Sequence, residues 1–192
     1  MAAEHRKRHK AHLDQHVKDV GGEYHYIGDW YVLSGGKRRL IPLAAWSALT
    51  AVCVIAAGCG SFPGLMNTWY VILSYVLTVS MLFGFLLQAG RLTLSGGRLK
   101  TFDWERTRDK VVPFAGALVI FAVLTAALGG VFLAFSGVRA RAADALFFAP
   151  ILFAAVCSRM AISAFRAQVW TREKSSRAKE TFDREKENRG NG

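Results

Sequence analysis

The sequence predicts an all-α integral membrane protein, with four transmembrane helices arranged as two antiparallel hairpins and with charged segments at both ends. Three observations carry this reading. Of 192 residues, 52% are hydrophobic and the mean hydropathy is +0.22, too apolar for a soluble domain of that length. The apolar residues fall into four runs, each about as long as the ~30 Å core of a bilayer requires. The charge, 25 Lys/Arg against 14 Asp/Glu, is segregated between those runs. The division that follows is 1–39, a basic and aromatic N-terminal segment; 40–89, the first hairpin; 90–110, a charged loop; 111–165, the second hairpin; and 166–192, a charged tail.

Residues 1–20 read as a polar helix, because good helix formers dominate and Gly21-Gly22 is a natural stop. His5, His9, His12 and His16 fall on one face of that helix, a spacing at which imidazoles can share Zn²⁺ or Ni²⁺. No cysteine or second ligand cluster completes such a site, so the expectation is a solvated basic face and no metal or other cofactor. Residues 23–38 are aromatic-rich, and Tyr24, Tyr26, Trp30 and Tyr31 suit the headgroup region. Their alternation and the Gly35-Gly36 pair suggest a short hairpin or an interfacial segment. Lys37, Arg38 and Arg39 form a basic stop.

The first span is Leu40–Cys59, with Pro42 in its first turn, where a missing N–H costs little. The short neutral loop of residues 60–67 makes the second span, Thr68–Gln88, an antiparallel neighbour. Trp69 and Tyr70 mark its outer interface, and Trp30, Trp104 and Trp170 are further interface anchors. The third span is Val111–Phe135, with Pro113 in its first turn. The fourth runs from Ala142 to about Ala164 and contains Arg159, the only charge well inside an apolar run. That arginine lies about 17 residues, or roughly 26 Å, from the outer end, close enough to the cytoplasmic headgroups for its guanidinium to snorkel. In the tail, Glu173/Arg177 and Glu180/Arg184 are i, i+4 pairs, so helix is expected to continue outward.

Orientation follows from the cations. Residues 1–39 hold eight Lys/Arg, 90–110 hold six and 171–192 hold seven, whereas the two hairpin turns hold none and two. By the positive-inside rule both termini and the central loop face the cytoplasm of a plasma-membrane protein. Basicity then reflects topology, and no recognised nucleic-acid module is present. The first apolar run begins only at Leu40, which argues against a cleaved signal peptide.

Two internal echoes stand out. Residues 39–60 match 110–131 at six of 22 positions, including Pro42/Pro113 and Gly58/Gly129, which suggests a parallel duplication of the hairpins. Val32-Leu-Ser-Gly-Gly-Lys37 also resembles Thr93-Leu-Ser-Gly-Gly-Arg98. A Gly-Gly-cation turn can offer backbone N–H groups to a phosphate, although a plain turn is the simpler reading.

Helices in lipid associate through small residues, so Ala122, Ala126 and Gly130, with Ser80 and Gly84, are expected at close contacts. The chemistry of an enzyme is missing. The first three spans contain no Asp, Glu, His or Lys, and the sequence carries no nucleophile–base pair, Walker loop or HExxH. The expectation is a non-catalytic membrane protein, acting by helix packing with itself or a membrane partner and docking through its charged segments. A small transporter or channel subunit, built as an oligomer with Arg159 facing anions, is the alternative.

Overall fold

The computed structural model describes residues 16–18, 24–26, 28–59, 68–135 and 142–173, with side chains in 28–59, 68–135 and 147–173. Among the described residues, four helices are long and apolar enough to cross a membrane. They are α1 (Ile41–Cys59), α2 (Trp69–Leu94), α3 (Thr101–Phe135) and α4 (Ala142–Arg166). Among the same residues, five short strands accompany them: β1 (His16–Lys18), β2 (Tyr24–Tyr26), β3 (Trp30–Leu33), β4 (Arg98–Lys100) and β5 (Trp170–Glu173).

The charged stretch of residues 90–110 is not a loop. Helix α2 runs past Gln88 to Leu94, the chain turns at 95–97, β4 follows, and α3 begins ten residues before the expected Val111. Residues 101–110 contain neither Gly nor Pro, and Asp103 sits in the first turn, where the helix dipole favours an anion. Trp104, Thr107 and Val111 are buried at helical spacing, so the apolar face of the span extends into the charged region. One consequence corrects the sequence reading: Pro113 lies inside α3 rather than in its first turn, and it leaves the Asp109 carbonyl without its intrahelical donor. Pro42, by contrast, is the second residue of α1, as expected.

The strands correct two further expectations. Helix was expected across residues 1–20, but His16–Lys18 pairs antiparallel with Tyr24–Tyr26. Helix was also expected beyond 171, but Trp170–Glu173 is a strand. It pairs with β3, and so does β4, giving an antiparallel sheet in the order β4-β3-β5. Trp30 lies opposite both Lys100 and Glu173. The aromatic segment therefore forms the centre of a sheet whose partners are 70 to 140 residues away in sequence, roughly, rather than a local hairpin. His5, His9, His12 and the Glu180/Arg184 pair lie outside the described residues.

The two Ser-Gly-Gly turns sit side by side at this sheet. All four of their glycines have positive φ (92° and 72° at Gly35 and Gly36, 68° and 88° at Gly96 and Gly97), which explains why the motif needs glycine. The Leu33 N–H donates to the Gly97 carbonyl at 2.8 Å, and the Ser34 N–H donates to that of Val169 at 2.9 Å.

Helix α1 packs most extensively on α4, α2 on α3, and α3 on α4; the contact of α1 with α2 is the slightest of the four. The helices thus enclose a core in ring order. One cluster, including Leu43, Val54, Phe85 and Leu118, continues to the sheet through Leu99, Trp104 and Phe165. A second gathers Ala57, Val71, Ala122, Phe147, Ile151 and Ala155.

The small residues divide. Ala122 is fully buried and Ala126 packs on the second cluster, but Gly130 is exposed and has open space beside it. Gly84 is a close contact: a methyl group there would meet the Phe114 ring of α3. Ser80 is exposed and bonds back to the Val76 carbonyl at 2.9 Å, so it makes no helix contact through its hydroxyl. The packing stripe of α3 therefore runs through Ala115, Leu118, Ala122 and Thr125, displaced from the expected Ala126/Gly130 line toward α2 and α4.

Candidate functional site

The most chemically mixed surface lies where the sheet meets the bundle. Three separate segments build it. Tyr31 comes from β3, Trp104, Arg108 and Val112 from α3, and Phe165 and Arg166 from the end of α4, with Trp170 following on β5. They line a cleft of about 470 Å³, within the range of small-molecule sites.

Its floor is aromatic. Trp104 stacks on Tyr31 with ring centroids 5.5 Å apart, and it meets Trp170 at 4.4 Å and Phe165 at 6.3 Å in tilted contacts. Helical spacing places Trp104, Arg108 and Val112 in one row along α3, because each is four residues from the next. That row passes from a buried ring through an exposed guanidinium to a half-buried aliphatic side chain. Trp104 is only 6% exposed, so it is a core residue of this end of the molecule and not the interfacial anchor expected from sequence. Its place in the series 104, 107 and 111 is the signal that could have found this.

The other anchors differ in setting. Trp69 is 73% exposed, with its ring edge-on to that of Tyr70. Trp30 is half-buried, with the Arg98 guanidinium carbon 4.6 Å from its ring centroid, a cation–π contact between β3 and β4. The Trp170 indole N–H donates to the Gln168 side-chain oxygen at 3.3 Å.

The walls are fixed by polar ties between distant segments. The Asp29 carbonyl accepts from Thr101 twice, from the hydroxyl at 2.7 Å and from the N–H at 3.2 Å, which docks β3 on the start of α3. The Asp29 carboxylate accepts from Arg172 on β5 at 2.7 Å. That hydrogen bond, and then the charge of Asp29, raise the Arg172 pKa further above its ordinary value. A raised arginine pKa is lost only at strongly alkaline pH, so on the arginine side this tie is constant through the neutral range.

Within the bundle, hydroxyls mostly bond back to their own helices, as Ser47 does to Leu43 and Thr50 to Trp46. Two cross between helices. Thr78 and Thr125 meet at 3.3 Å between α2 and α3, and the Tyr75 hydroxyl donates to the Val54 carbonyl of α1 at 2.8 Å. Three buried side-chain oxygens, those of Gln88, Thr107 and Ser158, have no hydrogen-bond partner among the described residues. Each lies roughly two helical turns from the sheet end of its helix. Arg159 is exposed on α4, on the outward face shared with Arg166, between the buried Ser158 and the exposed Met160.

No cluster of three or more His, Cys, Asp or Glu able to hold a metal occurs among the described residues. Comparison with protein-family models, with curated proteins and with solved structures finds no match.

Proposed function

We propose that this chain is a non-catalytic multi-pass protein of the plasma membrane that acts as a scaffold. Its helices pack against lipid, against a second copy or against a membrane-protein partner. Its sheet end faces the cytoplasm and serves as the docking surface. The observation that carries this reading is a coincidence between two independent properties. The three segments that are richest in cations, and so belong in the cytoplasm by the positive-inside rule, are the ones that contribute β3, β4 and β5 to one sheet. A folded platform that joins three connections is more than four helices need to stay in a bilayer. Large apolar side chains such as Leu73, Val76, Phe83 and Leu87 face outward from α2, which suits lipid or a neighbouring helix.

The parallel duplication draws some support from burial. Leu40, Ser47 and Val54 are buried, as are their counterparts Val111, Leu118 and Thr125 at the shift of 71, but buried Leu43, Thr50, Cys53 and Ala57 face counterparts that are not, so the support is confined to one heptad line.

The scaffold reading is tested by purifying the chain in mild detergent and identifying co-purifying proteins by mass. A defined partner or a stable oligomer is expected, and it should be lost when Leu33→Pro disrupts β3. A monomer with no partner in several mild detergents would defeat the reading. A transporter or channel subunit is the second reading, favoured by the unpartnered Gln88, Thr107 and Ser158 oxygens in the bundle interior. Solute flux in proteoliposomes, absent from empty vesicles, would establish it instead.

A further inference from the structure

We propose that the cleft between α3, α4 and the sheet binds the headgroup of an anionic phospholipid carrying one phosphodiester and an uncharged, hydroxylated head. The lining is mixed. Val112 and Phe165 give it apolar walls, and Arg108, one turn before Val112 on α3, and Arg166, next to Phe165 on α4, are exposed. An occupant that satisfies both is amphipathic, with an apolar end toward the bundle and an anionic end toward the sheet. Two guanidinium forks match phosphate oxygens better than ammonium groups do, because each can donate two parallel hydrogen bonds. Basic recesses between transmembrane helices on the cytoplasmic side are a recurring form of headgroup recognition.

Asp109 narrows the choice. It too is a lining residue, so the two arginines are partly offset and the formal charge of the lining is a single positive one. A phosphodiester matches that charge. A head bearing a second anion is repelled by Asp109, whereas a hydroxyl can donate to it. The aromatic floor is already engaged in its own ring contacts, Trp104 meeting both Tyr31 and Trp170. Lying on the sheet side of Arg108, it contributes a rigid apolar surface beside the head rather than a cage for a cationic one.

The proposal concerns lipid and stands whether or not the platform also recruits a protein. Its test uses the full chain purified in mild detergent. The thermal midpoint is followed while phosphatidylglycerol, phosphatidylcholine or inorganic phosphate is added, since a ligand that binds only the folded state raises that midpoint. Phosphatidylglycerol should bind at least about tenfold more tightly than phosphatidylcholine, a difference of ~1.4 kcal/mol. Inorganic phosphate at matched concentration should leave the midpoint unmoved. The pair Arg108→Gln and Arg166→Gln should weaken phosphatidylglycerol at least tenfold, while Arg38→Gln, an exposed cation outside the cleft, should not. Should the double variant fail to fold, Val112→Phe fills the apolar wall without changing charge and should cause the same loss. Equal response to both lipids, or full affinity in the cleft variants, overturns the proposal. A response to inorganic phosphate matching that to phosphatidylglycerol assigns the site to a soluble anion and overturns it as well. Loss of a co-purified protein partner would leave these readings untouched, so the two proposals fail separately.

Discussion

Tyr75 carries its hydroxyl across the slightest of the helix contacts and bonds the Val54 carbonyl of α1. Gly58, one turn further along α1, makes room for it; a methyl group there would collide with the phenol. The pair explains a glycine in the last turn of α1 by a specific neighbour rather than by flexibility. Tyr75→Phe should cost about 0.6 kcal/mol, up to ~1.7, as interhelical hydrogen bonds in membranes do. Gly58→Ala should cost more, roughly 1–3 kcal/mol, because it adds overpacking to the lost bond. The double variant should cost less than the sum, since both changes disturb one contact. Thermal unfolding of the four proteins in one detergent measures this, and strict additivity would place the tyrosine elsewhere. At the same scale, Arg159 is exposed two turns from Arg166 on one outward face. Its long stem can lie along the helix while the charge reaches the headgroups, so Arg159→Lys is expected to insert and fold like the parent. Insertion and detergent stability of Arg159→Lys and Arg159→Leu decide it. A lysine as damaging as a lost buried partner, with leucine harmless, points to a paired arginine instead.

At the scale of elements, the helices were far more legible than the strands. Each span announces itself by about twenty apolar residues, a signal that needs no partner. A strand of three or four residues has no comparable signal, and β3 acquires its identity from Arg98–Lys100 and Trp170–Glu173. Pairing over such separations overrides local preference, which is why His16–Lys18 and Trp170–Glu173 read as helix in isolation. The repeated Ser-Gly-Gly-cation motif was the visible trace, since both copies are left-handed turns at the sheet. The cleft is legible in sequence only in its aromatic parts, Tyr31, Trp104 and Trp170, because the fold alone brings Arg108 and Arg166 beside them. Removing the Trp104 ring tests the structural view. Trp104→Ala should cost about 3–5 kcal/mol, as for a core tryptophan, and should expose Trp170 to aqueous quenchers. An exposed interfacial anchor would lose far less.

For the whole molecule, sidedness is the property on which most else depends. Reporter fusions after Asn67 and after Lys110 should signal opposite sides of the membrane, and fusions after Gly36 and after Lys110 the same side. The motive is the joint membership of β3 and β4 in one sheet, added to the eight, six and seven cations of the three segments. Reports from one side at both Asn67 and Lys110 would end the four-span topology. Ring packing adds a second expectation. Because α1 leans mainly on α4, residues far apart in sequence should be protected together, and solvent exchange at α1 should rise when α4 is loosened.

The sheet also bears on how the chain is made. Its central strand leaves the ribosome before any span, its second strand after two spans, and its third only after all four. An even number of crossings is therefore needed before each new strand can reach the first. A chain that fails to insert one helix delivers Trp170–Glu173 to the wrong face of the bilayer, where Trp30–Leu33 cannot meet it. Completion of the three-stranded sheet thus reports on correct insertion of the whole chain. A polypeptide with one span missing should display an unfinished sheet edge, a row of unpaired backbone groups that invites pairing with other chains.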